Sequence, residues 1–104
     1  MTLDDYQHSA LRTTNPALTS RERLLDASAG LAEEAGEVLG LVRKRAFQQR
    51  EVDAQRFVEE LGDVLWCLAV TADALGLSLD AVADANLRKL ERRHAPGFRA
   101  GDSR

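Results

Sequence analysis

The sequence predicts an all-α protein, a four-helix antiparallel bundle, on three observations. Apolar residues recur at helical spacing through four segments, no stretch alternates apolar and polar residues with the period of a strand, and capping or breaking residues fall between the segments. Thr2 and Asp5 form an acidic variant of a capping box and open a first helix over about residues 3–12. Thr13 to Thr19, with Pro16 inside it, reads as a loop. Ser20 is placed to cap a long second helix from about Arg21 to Arg45, whose last turn carries Arg43, Lys44 and Arg45 where cations suit the negative helix end. Gln48 to Asp53 is a polar connection, and a third helix is expected from about Asp53 to Leu75 with Gly76 terminating it. Ser78 can cap a fourth helix reaching about His94, which Pro96 and Gly97 end. Residues 1–100 are read as a single domain and 101–104 as a frayed tail.

A chain of 104 residues buries only about 65% of its unfolded surface, so assembly with a second copy would add stability. With 44% hydrophobic and 30% charged residues, the composition is that of a folded protein. The longest apolar run, Val64 to Val70, is far short of the roughly 20 residues that cross a bilayer, so no membrane partner is expected. Asp4 and Asp5 stand where a signal peptide would be basic, and the single Cys67 excludes an internal disulfide framework, so a cytoplasmic location is expected. A net charge of −3 argues against a nucleic-acid polymer as the main partner.

Two acidic clusters stand out, Glu33-Glu34-Ala35-Gly36-Glu37 and Glu59-Glu60-Leu61-Gly62-Asp63. Each places two carboxylates three residues apart on a helix that is otherwise apolar, Glu34 with Glu37 and Glu60 with Asp63. On the second helix Glu34 lies about 60° from the centre of the apolar stripe and Glu37 about 120° from it. The third helix is apolar nearly all round, so it should be surrounded by protein, and Glu60 and Asp63 should sit where water is scarce. Glu37 before the connection and Glu60 after it are each roughly 11–12 Å from that connection. In an antiparallel hairpin Glu37 then faces Glu60, Glu34 faces Asp63, and four carboxylates converge. All-oxygen ligation selects a hard cation, Mg²⁺ or in its place Mn²⁺. A di-iron site would need a Glu-x-x-His motif on each of two helices, and the chain has that spacing only once, at Glu91 to His94, since His8 has Asp5 three residues before it.

Asn86, Lys89 and Arg93, three and four residues apart, share a face of the fourth helix with Leu79, Val82 and Leu90. Lys and Arg suit phosphate oxygens, and beside a divalent metal they point to a polyphosphate substrate.

With these residues in place the chain resembles the MazG-like, all-α nucleoside triphosphate pyrophosphohydrolase superfamily. The resemblance runs through Leu31 to Val38, Glu59 to Trp66 and Asn86 to Arg93, and extends to Tyr6, Gln7, Arg12 and Thr13. It implies Mg²⁺-dependent cleavage of a nucleoside triphosphate between the α and β phosphates, a role in nucleotide-pool cleansing, and a homodimer or a homotetramer built from dimers. In that reading Glu34, Glu37, Glu60 and Asp63 hold the metal, and Glu37 also serves the attacking water. Lys89 and Arg93 act catalytically on the β and γ phosphates, with Asn86, Gln7 and Tyr6 as further substrate contacts. Relatives carry a basic residue one turn before the first Glu of the motif, where this chain has Gly30. The phosphoribosyl-ATP pyrophosphohydrolase branch carries a Ser-Tyr-Thr element that is missing here, which makes it the second choice. Trp66 and Phe98 are candidates for stacking on the base.

A strip of small residues, Ala29, Ala32, Gly36 and Gly40, would let another helix approach closely and supports an oligomer. The competing reading is a non-catalytic helical interaction module whose acids either form a structural metal site or make salt bridges with Arg43, Lys44 and Arg45.

Overall fold

Short-range side-chain chemistry sets where each helix begins. In the computed structural model, which describes residues 1–48, 51–94, 97 and 101, the helices are α1 (Leu3–Leu11), α2 (Ser20–Phe47), α3 (Ala54–Ala74) and α4 (Leu79–His94). The Thr2 hydroxyl accepts from the Asp5 amide at 3.0 Å, and the Asp5 carboxylate accepts from the Thr2 amide at 2.9 Å. The same reciprocal pair opens α2 with Thr19 and Glu22, at 3.1 and 3.0 Å. The cap is therefore Thr19 and not Ser20, whose third residue onward is Arg23, a side chain that cannot accept the returning bond. Asp53 caps α3 through the Gln55 amide, and the Ser78 hydroxyl accepts from the Ala81 amide at the start of α4.

Thr19→Ala should cost about 1 kcal/mol, read as a lower urea midpoint. Bonds from the Thr2 and Thr19 backbone and side chain hold the Asp5 and Glu22 carboxyls below their ordinary values. Their contribution is therefore present above the unfolded carboxylate pKa and is lost as pH falls through the lowered one.

α2 and α3 form an antiparallel hairpin, in which Gly30 meets Cys67 and Glu34 lies beside Glu60 and Asp63. Ala27 and Leu41 from α2 and Cys67, Ala69, Val70 and Ala72 from α3 are buried. The α3 terminus is a left-handed turn on Gly76 (φ +74°), with the Gly76 amide donating to Asp73 and the Leu77 amide to Ala72, both at 2.8 Å.

That turn redirects the chain by 101°, and α4 packs on α1. A single chain is thus all-α but not a closed four-helix antiparallel bundle. Three bonds from one buried side chain hold the arrangement. The Gln7 amide nitrogen donates to the carbonyls of Ala69 (3.0 Å) and Leu77 (3.2 Å), and its oxygen accepts from the Leu79 amide at 3.1 Å. The Asp4 carboxylate adds a bond from the Asp80 amide at 2.9 Å.

One consequence departs from expectation: α3 is not surrounded within its own chain. Leu61, Leu68 and Leu75 are 54, 42 and 56% exposed, and Leu25 and Leu39 of α2 are 63 and 58% exposed. The helix end expected at Pro96, the stacking candidate Phe98 and most of the 101–104 tail lie outside the described residues. Among the described residues no single helix is long and apolar enough to cross a membrane.

Candidate metal centre

Three of the four carboxylates expected to converge do so. Glu34 on α2 and Glu60 and Asp63, one turn apart on α3, each offer an oxygen, and the three oxygens lie within 4.8 Å of one another. Glu34 and Glu60 are half-buried and Asp63 is exposed, so water is scarcer at the hairpin seam than at its rim. One Glu60 carboxylate oxygen (Oε2) is buried with no hydrogen-bond partner. Among the described residues no Lys or Arg lies within ion-pair distance of the three; the ion pair present joins Arg23 to Asp73 at 3.9 Å, elsewhere on the hairpin. Burial, and then the adjoining Glu60 and Asp63 carboxyls, raise the Glu34 carboxyl above its ordinary value. A shared hard cation would relieve both the repulsion and the orphaned oxygen, and an all-oxygen donor set fits Mg²⁺ or Mn²⁺.

Glu37 is exposed and is not one of the three. Its level in the hairpin matches that of Glu60, but a residue about 120° from the apolar stripe projects away from the seam. Asn86, Lys89 and Arg93 are also exposed, on a helix that turns away from α3 and packs on α1. Among the described residues none of them pairs with the acids of its own chain. Tyr6 is half-buried against Ala69, Ala72 and Leu79, and burial, then Asp63 and Cys67, raise its hydroxyl above its ordinary value. Gln7 has a different occupation from the substrate contact expected of it. It is 6% exposed, and both polar atoms are engaged by backbone groups of α3, α4 and their link.

Beside the acids lies a cavity of about 270 Å³ lined by Asp26, Gly30, Glu34, Asp63, Trp66 and Cys67. The Trp66 indole N–H donates to the Thr13 hydroxyl at 2.7 Å, which fixes the ring. Cys67 is buried, as a small core residue would be, and burial together with the Glu34 and Asp63 carboxylates raises its thiol. Asp26 and the anchoring role of Thr13 were not apparent from sequence. A signal for Asp26 existed, since Asp26, Gly30 and Glu34 follow one another in steps of four along α2 and so share a face.

The family model for the MazG nucleotide pyrophosphohydrolase domain matches residues 23–98, which hold all three clustered acids and the α4 cations. The gene 37 protein of Mycobacterium phage L5 is 36% identical over 91 residues, covering 82% of this chain and 80% of its own. The uncharacterized protein YvdC of Bacillus subtilis strain 168 is 36% identical over 72 residues, covering 61% and 68% respectively. No solved structure gives a significant match.

Proposed function

Because the chain belongs to the MazG nucleotide pyrophosphohydrolase domain family, we propose that it hydrolyses a nucleoside triphosphate between the α and β phosphates, releasing a monophosphate and pyrophosphate in nucleotide-pool cleansing. The observation that carries this reading is the cluster of three carboxylates from two helices, with a buried oxygen that lacks a partner. Glu34, Glu60 and Asp63 are the residues that would hold Mg²⁺. When bound, such an ion neutralises charge on phosphate oxygens and lowers the pKa of water. Glu37, one turn along α2 from Glu34 and free of the cluster, completes the ligand set or takes the proton of the attacking water. Lys89 and Arg93 meet the β and γ phosphates and ease departure of pyrophosphate, and Asn86 contacts phosphate or ribose.

Since α4 leads its cations away from the acids of its own chain, these groups act on the cluster of a second copy, and the protein works at least as a homodimer. The surface supports such an assembly. The exposed leucines of α2 and α3 form an apolar surface on a small chain, and a Cβ at Gly36 or Gly40 would meet no atom within 4 Å, so that side of α2 is open.

Pyrophosphate release from a panel of ordinary, deoxy and damaged nucleotides, with and without Mg²⁺, tests the activity, and a silent panel would leave only the interaction module. A mixing experiment tests the shared site. Lys89→Ala and Glu60→Gln should each be inactive alone, while an equimolar mixture, reassembled into dimers, should recover about a quarter of wild-type activity through one intact composite site per mixed dimer. No recovery would place both functions within one chain.

A further inference from the structure

We propose that the cavity next to the acids receives the nucleoside, and that Asp26 selects one that presents a hydrogen-bond donor, an exocyclic amino group or a ribose hydroxyl. The inference rests on the proposed function, because the cavity holds a nucleoside only if the phosphates lie at its acidic end.

Glu34 and Asp63 form one end of the cavity, and Asp26 stands on the same face of α2 eight residues earlier, about 12 Å along the axis. A nucleoside whose α-phosphate lies at the acidic end would run along this axis toward Asp26. Between them the floor is Gly30, where an added Cβ would lie 3.2 Å from the Cys67 Sγ. A longer side chain there would displace Cys67 or fill the cavity, so the opening depends on the glycine. Trp66 forms a wall, and because its N–H is held by Thr13 it presents no free donor to a ligand. What it offers is a fixed aromatic surface suited to stacking.

Asp26 is the polar group left over. Its carboxylate is exposed, has no hydrogen-bond or ion-pair partner among the described residues, and lies close enough to Cys67 to act on the thiol. An ionised carboxylate accepts and cannot donate, so it favours an N–H or O–H and disfavours a carbonyl at the same place. The donor can come from the base or from the sugar, and the two are separable by experiment.

Trp66 is the only tryptophan, so its fluorescence reports occupancy of this wall without reference to turnover. The full-length protein is titrated with the monophosphates of cytidine, uridine and their 2′-deoxy forms, as wild type and as Asp26→Ala. Wild type should respond at a concentration at least about tenfold lower to the donor-bearing member of one pair, and Asp26→Ala should erase that ratio. Cytidine over uridine assigns the amino group, and ribose over deoxyribose assigns the hydroxyl. Equal responses by wild type, or a ratio that survives in Asp26→Ala, would overturn the inference. A protein that releases pyrophosphate but shows no Trp66 response overturns this inference alone, whereas one with neither property overturns the proposed function as well.

Discussion

Glu60→Gln should lower Mg²⁺-dependent pyrophosphate release by about a hundredfold or more while raising the thermal stability of the metal-free protein. The two effects have one cause. In the absence of a cation Glu60 has a buried, unpartnered oxygen and lies within 4.8 Å of two other carboxylate oxygens. An amide removes one like charge and brings an N–H that can donate to Glu34, an exchange worth about 1 kcal/mol, or a few degrees in the thermal midpoint. The same substitution withdraws a proposed ligand of the metal, so Mn²⁺ should raise the midpoint of wild type and leave the variant unmoved. The pH dependence follows from Glu34. Its carboxyl is raised by burial and by its acidic neighbours, so the folded, metal-free chain favours the protonated form. The stability this gives is complete below the unfolded carboxylate pKa and is lost as pH rises through the raised value. Thermal scans with chelator across that window should show a stability decline in wild type that is shallower in Glu60→Gln. Stabilisation by Mn²⁺ that is equal in both proteins would show that the cluster is not the metal site.

The largest loss of stability is expected at Gln7. Gln7→Ala should cost about 3 kcal/mol or more, because it leaves the Leu79 amide and the Ala69 and Leu77 carbonyls without their partner and removes most of a buried side chain. Against a total of about 5–15 kcal/mol for a domain, such a loss would be prominent in a urea titration. Gln7→Glu discriminates the mechanism. Its carboxylate would face the Ala69 and Leu77 carbonyls where an N–H₂ now donates, so it should be worse than alanine at neutral pH and recover on acidification, when a proton restores one donor. A Gln7→Glu protein as stable as wild type at neutral pH would show that the amide is not holding the junction.

These two residues also mark how far the sequence could be read. Glu60 was legible because its neighbours in the chain identify it: it is an acid inside an apolar helix, three residues from a second acid, at a height set by a short connection. Gln7 is expected to contact substrate only through the family resemblance, and the sequence around it offers no reading of its own. Its partners are 62 to 72 positions away, and no local pattern announces them. Glu37 falls between the two cases. Its level in the hairpin and its position about 120° from the apolar stripe both follow from the sequence, but that this offset takes it out of the cluster shows only in the structure.

The sequence by itself determined the helix spans, to within a residue or two at most ends, and the acid pairs, because caps, turns and periodicity act over three or four residues. Only the tertiary structure decided that α4 leaves the hairpin at 101°, that three acids and not four converge, and that Asp26 and Trp66 share a cavity with them. The physical reason is that these depend on which backbone groups Gln7 satisfies and on how two helix faces interlock, contacts made between residues far apart in the chain.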